Sequence, residues 1–262
     1  MNPEVYWITG ASSGIGKALA LELAKPGNAI ILSGRNVQAL EEVKQIVLLK
    51  GAGCESLPFN VADIEKFPEI VKQAIGVFGH IDVLVNNAGV SQRSPAMQTS
   101  SEVEKELMHI NYFSPVALSK ELIPHLRERG IGHIVVVSSI AGKFGFSLRS
   151  TYAAAKHALH GYFEALRLEL REIPVYVTIV CPGRVKTNVS FNALQGDGRP
   201  HAVMDDGQRK GISAGTCAKR MAKAIKNKNN EVLIGGAELI PVYLRRYCPP
   251  LFYYLIKKVK PT

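Results

Sequence analysis

Seven short runs of β-branched and other apolar residues punctuate the chain: VYWIT at 5–9, AIILS at 29–33, ESLPF at 55–59, VLVNN at 83–87, HIVVVS at 133–138, VYVTIV at 175–180 and EVLIG at 231–235. Within most of them the apolar residues are nearly continuous, the pattern of strands covered on both faces. Segments with helical periodicity lie between them, at 15–25, 37–50, 64–78, 102–129, 152–171 and 214–227. This alternation predicts a doubly wound parallel sheet of about seven strands in three α/β/α layers. Patterning is weakest at 184–212, which holds Gly196, Gly198, Pro200, Asp205 and Gly207. A structureless connection of that length inside a compact fold is usually a lid or substrate loop. No repeat or linker divides residues 1–238, which read as one domain, and 239–262 reads as a C-terminal extension.

Composition narrows the picture. The 262 residues can bury roughly three quarters of their unfolded surface, enough for a core without staples. Cys54, Cys181, Cys217 and Cys248 form no C-x-x-C pair and read as reduced thiols of a cytoplasmic protein. No Cys/His cluster has metal-ligand spacing, and His157 and His160 suggest no third ligand. The apolar pattern from Val5 has no basic leader ahead of it, so no signal peptide is expected, and no run approaches the ~20 apolar residues that span a bilayer. Of the net charge of +10, Lys219 onward supplies ten Lys/Arg against Glu231 and Glu238. No nucleic-acid motif accompanies that charge, so nucleic acid is not an expected partner.

Directly after the first strand run comes Thr9-Gly10-Ala11-Ser12-Ser13-Gly14-Ile15-Gly16, followed by a helical pattern. Gly10 permits a tight turn, Gly14 a close approach of backbone to a pyrophosphate, and Gly16 tight helix–sheet packing. The helix N-terminus then offers free N–H groups to phosphate, which makes the sheet Rossmann-like. At the end of the second strand run NAD binders place an acid, but this chain has Ser33-Gly34-Arg35-Asn36. Arg35 can pair with a 2′-phosphate, so NADP(H) is the expected cofactor.

Tyr152 and Lys156 share one face of a helical segment, and Ser139 lies thirteen residues upstream, just past a strand run. Tyr253/Lys257 and Tyr254/Lys258 repeat the Y-x-x-x-K spacing, with Ile240 and Pro241 where the serine would stand. The motifs TGASSGIG (9–16), NNAG (86–89), SSIAG (138–142), YAAAK (152–156) and PGRVKT (182–187) fall in the order and spacing of one family. In these the chain resembles the ordinary-length short-chain dehydrogenases/reductases over nearly its whole length. NNAGVSQRS, INYFSPVALSK, KHALHGYFEALR and NALQGDG resemble the member-seven branch.

The resemblance implies a tetrad of Asn111, Ser139, Tyr152 and Lys156. Tyr152 would exchange a proton with the substrate oxygen, Ser139 would stabilise charge on that oxygen, and Asn111 would hold a water leading to Lys156. Lys156 would hold the nicotinamide ribose and, together with the positive charge of the oxidised nicotinamide, lower the phenol's pKa. Asn60 and Val61 would contact adenine, and Asn87, Ala88 and Gly89 the ribose and central region. Pro182, Gly183, Val185 and Thr187 would close over the nicotinamide amide. Phe144, Phe146 and Phe191, with Met97 and Met204, suggest an apolar pocket under a mobile loop, although aromatics are more often simply core; the substrate expected for such a pocket is an apolar carbonyl or alcohol of steroid, retinoid or lipid type. A homodimer or homotetramer is implied, its contacts including Phe163, Leu166 and Leu170. A scaffold that has lost its chemistry is the alternative, disfavoured because all four positions are filled. In the tail, LIPVYLRRYCPPLFYYLIKKVK (239–260) is broken by Pro249-Pro250 into two pieces, each too short to span a bilayer. It could cap the pocket, pack across the dimer, or lie peripherally on an anionic membrane.

Overall fold

The structure, a computed structural model, describes residues 3–258. Its elements follow the alternation read from the chain: β1 (Glu4–Thr9), α1 (Gly14–Leu23), β2 (Asn28–Ser33), α2 (Val37–Leu49), β3 (Gly53–Ser56), α3 (Phe67–Phe78), β4 (Val83–Asn86), α4 (Ser101–Met108), α5 (Ser114–Arg129) and β5 (Gly132–Val137). Then come α6 (Ser150–Glu169), β6 (Val175–Pro182), β7 (Val185–Lys186), α7 (Asp206–Arg209), β8 (Ile212–Ser213), α8 (Ala214–Lys226), β9 (Glu231–Ile234), α9 (Ile240–Tyr247) and α10 (Pro249–Ile256). Seven strands form one parallel sheet in the order β3-β2-β1-β4-β5-β6-β9.

The near-continuous apolar strands are explained by the two cores they serve. Tyr6, Ile8, Ile30, Leu32, Val83 and Val85 face one side, where Leu19, Leu40, Val43 and Met221 of α1, α2 and α8 cover them. Their chain neighbours Val5, Trp7, Ile31 and Leu84 face the other, under Phe67, Leu118, Leu122, Leu159 and Phe163 of α3, α5 and α6. Side chains that alternate across the sheet are therefore apolar at every position. Strand order reverses between β1 and β4, and that switch point opens a crevice above their C-terminal ends.

Two elements differ from the expectation. The strand expected at 55–59 pairs instead over Gly53–Ser56, in register with Ala29–Leu32; Leu57 still donates to Leu32 O, but Pro58 has no N–H to continue the ladder. The single helix expected at 102–129 is widened by a π-helical turn, His109–Phe113, between α4 and α5. Such turns recur at functional sites, and this one carries Asn111.

Segment 184–212 is tied down rather than structureless. It contains β7, α7 and β8, and Leu194 bridges to both Gln92 and Pro200. Arg93 N donates to Leu194 O at 2.8 Å, Leu194 N to Ser91 O at 2.9 Å, and Ser100 N to Gly196 O at 2.9 Å. The segment's backbone groups pair with the β4–α4 connection.

Candidate active site

The glycine turn sits on β1 at the switch point. Gly10 and Gly14 have φ of +65° and +56°, where a side chain would be strained. Gly16 is fixed by close approach: a Cβ there would lie 2.3 Å from Gly10 O and 2.5 Å from Asn87 Nδ2. Ser13 is the N-cap of α1 but makes no side-chain cap bond, so the opening N–H groups of α1 stay available to an anion. Ser12 abuts Gly34, and Ile15 packs on the core of that face. Arg35 is exposed just past β2, while Asn36 is occupied in capping α2. Asn60 and Val61 follow β3, with Phe59 N bonded to Gly34 O; Asn60 Oδ1 accepts from Ala62 N.

The β4 end is welded to this turn. Thr9 Oγ1 accepts from the N–H groups of both Asn87 and Ala88, and Asn87 Nδ2 donates to Thr9 O and Gly10 O. Asn87 thus acts as a brace for the turn. Gly89 is compressed against Asn111 and Lys156: a Cβ on it would lie 2.8 Å from Asn111 Oδ1 and 3.7 Å from Lys156 Nζ. Opposite, Thr187 is 3.3 Å from a Cβ built on Gly14, and Gly183 backs onto Glu238. Pro182 O accepts from Ser139 Oγ at 3.4 Å, and the buried Val185 has its carbonyl bonded to Gln208.

The four catalytic candidates meet at the C-terminal edge of β4 and β5. Ser139 follows β5 in extended conformation, its Oγ accepting from Ala141 N and acting on the Tyr152 hydroxyl to oppose the rise of its pKa. Lys156 is buried with its ammonium donating to Val137 O at 2.9 Å, 5.7 Å from the Tyr152 ring centre. Burial pushes the Lys156 pKa down to about 8. Asn111 Nδ2 donates to Val90 O and to Leu107 O, and its Oδ1 accepts from Val90 N. Burial raises the Tyr152 pKa, and the groups opposing that rise are Ser139, Arg149 and Arg93. The Lys156 ammonium is held by the β5 carbonyl.

Residues 4–197 match the family model described as short chain dehydrogenase. The chain belongs to the short-chain dehydrogenase/reductase family. It is 39% identical over 259 residues to bovine dehydrogenase/reductase SDR family member 7B, covering 96% of this chain and 80% of that protein. A short-chain dehydrogenase/reductase from Burkholderia phymatum, solved with NAD, superposes with a TM-score of 0.84 at 24% identity, covering 100% of this chain and 97% of that one. An alcohol dehydrogenase from Thermococcus sibiricus, solved with 5-hydroxy-NADP, gives 0.77 at 25% identity, covering 89% and 97%.

Several groups around this dehydrogenase site carry no local sequence signal. Gln92, fully buried, accepts through Oε1 from the N–H groups of Thr151 and Tyr152 at 3.0 and 3.2 Å. Arg93 and Asp205 form a buried ion pair that Arg149 joins at 3.2 Å. The fold also gives His160 the neighbours its sequence context did not suggest: potential ligand atoms of His160, Cys181 and Glu231 lie within 4.8 Å of one another. The imidazole stands between the other two, with Nε2 on Ser138 and Cys181 and Nδ1 toward Glu231 and Lys143. The Lys143 ammonium already meets that carboxylate at 2.5 Å.

On the substrate side, Phe144 is buried between Phe146 (4.5 Å) and Phe252 of α10 (5.3 Å), so the tail packs beside the segment that follows Ser139. Met97 is fully exposed and is no pocket wall; Phe191 and Met204 are half exposed. In the tail, Tyr254 takes the Lys258 ammonium at 2.8 Å on an exposed helix, whereas Tyr152 is half-buried beside Ser139. Lys260, at the end of the tail motif, lies outside the described residues. Among the described residues no helix is long and apolar enough to cross a membrane.

Proposed function

We propose that this enzyme moves hydride between NADP(H) and a carbonyl or alcohol carbon of an apolar steroid-, retinoid- or lipid-like molecule. The observation that carries the reading is the convergence of Ser139, Tyr152, Lys156 and Asn111 over the glycine turn. The turn fits a dinucleotide: Gly16 leaves no room for a side chain, and the first N–H groups of α1 carry no side-chain cap. Gly10, Ser12, Ser13, Gly14, Ile15 and Gly16 would hold the pyrophosphate, Arg35 the 2′-phosphate, and Asn60 and Val61 the adenine. Ala88, Gly89, Pro182, Gly183, Val185 and Thr187 would enclose the nicotinamide end, with Asn87 bracing the turn. A bound nicotinamide supplies or accepts the hydride.

The protein's own part is proton handling and charge stabilisation. Tyr152, held as a phenol, donates its proton to the substrate oxygen as negative charge develops there. Ser139 donates a second hydrogen bond to that oxygen. Lys156, its pKa pushed down by burial to about 8, restores the phenol's proton, and Asn111 orders the approach to it. The preference for NADPH rests on Arg35, since no acid stands at the end of β2. Fluorescence titration should give tighter binding of NADPH than NADH, reversed in Gly34→Asp/Arg35→Ala; equal wild-type affinities overturn the cofactor assignment.

The same reading includes a homodimer or homotetramer and peripheral membrane contact. The tail exposes Ile240, Tyr243, Tyr247, Leu251, Tyr254 and Leu255 beside Arg246, Lys257 and Lys258, the mix an interfacial segment uses. The protein should sediment with anionic but not neutral vesicles at low salt. The variant Arg246→Glu/Lys257→Glu/Lys258→Glu should stay in solution; recovery of wild type in the supernatant with both vesicle types returns the tail to packing alone.

A further inference from the structure

The connection between β4 and α4 is packed between two parts of the active site that are far apart in sequence. On one side is the start of α6. Its N-cap position, Arg149, makes no side-chain cap bond, and the first N–H groups of a helix need a partner. Gln92 supplies it from 59 and 60 residues away, bonding Thr151 N and Tyr152 N through Oε1. Its Nε2 is held by Ser94, Thr99 and Ser150, so the amide has a single orientation. On the other side is segment 184–212. Gln92 bridges to Leu194, and the next residue, Arg93, grips Asp205 through two guanidinium nitrogens while its third donates to Gln92 O at 2.7 Å.

We propose that Gln92 and Arg93 are positioning residues that couple the seating of segment 184–212 to the placement and acidity of Tyr152. This rests on Tyr152 being the proton donor. Gln92 fixes the first turn of the catalytic helix, and its backbone is paired to the segment. Arg93 stands close enough to the phenol to act on its charge, and Asp205 is the counter-charge that the segment brings. Burial raises the pKa of Tyr152, and the seated segment, by pairing Asp205 with Arg93, offsets part of the guanidinium's opposing pull. Unseated, it leaves that guanidinium without Asp205, which strengthens the pull toward the phenolate. The other charged or titratable groups facing this cluster are Arg149, on both Tyr152 and Asp205; Arg184, acting on Arg149; His201, 4.0 Å from Asp205; Lys156, behind the ring; and Glu104, bonded to Thr151 Oγ1.

The test separates electrostatics from scaffolding. Arg93→Met and Asp205→Asn both release the segment, so trypsin should cut faster within 184–212 in each. The Tyr152 pKa, followed by NMR of 13Cζ-tyrosine and assigned with Tyr152→Phe, should rise in Arg93→Met and fall in Asp205→Asn. Gln92→Leu should lower kcat on the order of 10- to 100-fold, as small misplacements of a catalytic group do, with cofactor KM little changed. Gln92→Glu keeps the acceptor for the two N–H groups and should recover most of that kcat while raising the Tyr152 pKa; it carries the test if the Leu variant does not fold. Shifts of the same sign in Arg93→Met and Asp205→Asn, or full kcat in Gln92→Leu, overturn the proposal. The proteolysis and NMR need no turnover, so a Tyr152→Phe enzyme of full activity would sink the proton-donor reading by a separate result.

Discussion

Replacing Gly16 by Ala adds one methyl group at the tightest point of the glycine turn. That carbon would sit 2.3 Å from Gly10 O and 2.5 Å from Asn87 Nδ2, where contacts under 3.0 Å essentially do not occur. Neither neighbour can yield freely. Gly10 O is bonded by Asn87, and a Cβ on Gly10 would itself lie 2.9 Å from Ala88 Cα. The turn must therefore move away from β4, at the roughly 1–3 kcal/mol of an overpacked core. Carried into cofactor affinity, that is roughly a 5- to 150-fold weaker Kd, read by fluorescence titration with NADPH, alongside a lowered denaturation midpoint. Gly76→Ala is the control: in α3 nothing lies within 4 Å of the added carbon. Removing a helix-interior glycine should stabilise by roughly 0.5–1 kcal/mol with affinity unchanged. Wild-type NADPH affinity in Gly16→Ala would refute the turn as the pyrophosphate cradle.

Burial, helped by the charge of Lys228, pushes the His133 pKa down to about 4. An unfolded histidine near 6.5 takes up its proton first, so His133 should cost about 3 kcal/mol of stability between pH 7 and pH 4. Urea melts of wild type and His133→Gln should show that extra loss in wild type alone; parallel pH profiles refute it. Phe252→Ala should lower stability by about 3 kcal/mol or more, because a buried ring leaves a cavity against Phe144; an unchanged urea midpoint would mean α10 is not docked. Phe113 and Leu168, exposed on the helical layer of α5 and α6, should be oligomer contacts. Phe113→Glu/Leu168→Glu should lower the light-scattering mass toward that of a monomer, and an unchanged mass places the interface elsewhere.

The layers of the fold and the two ends of the site were legible because their signals are local. Gly10, Gly14 and Gly16 are spaced by one turn, and Tyr152 and Lys156 by one helical repeat. The coupling groups were hidden because Gln92, Arg93, Arg149 and Asp205 come from three connections, with Arg93 and its partner Asp205 112 residues apart. Phe163, Leu166 and Leu170 read as interface residues, yet all three are buried in the chain's own core. Apolar periodicity reports a covered face without saying whether the chain's own sheet or a partner covers it. The π turn at Asn111 left no mark either, since helical periodicity tolerates one inserted residue. The partner of Lys156 was hidden for a related reason. The i, i+4 spacing puts Lys156 on the same helix face but cannot tell that its ammonium is bound to Val137 O.

The central claim is that Tyr152 is the proton donor, and the measurement that tests it most directly is carbonyl reduction by Tyr152→Phe with NADPH. The substitution keeps the ring and removes only the hydroxyl. Turnover should fall by about 10²–10⁴-fold, the usual contribution of a general acid, with NADPH affinity within a few-fold of wild type. Tyr253→Phe and Tyr254→Phe, on the exposed tail, should turn over as wild type does. Full activity in Tyr152→Phe, or an equal loss in the tail variants, would contradict the account.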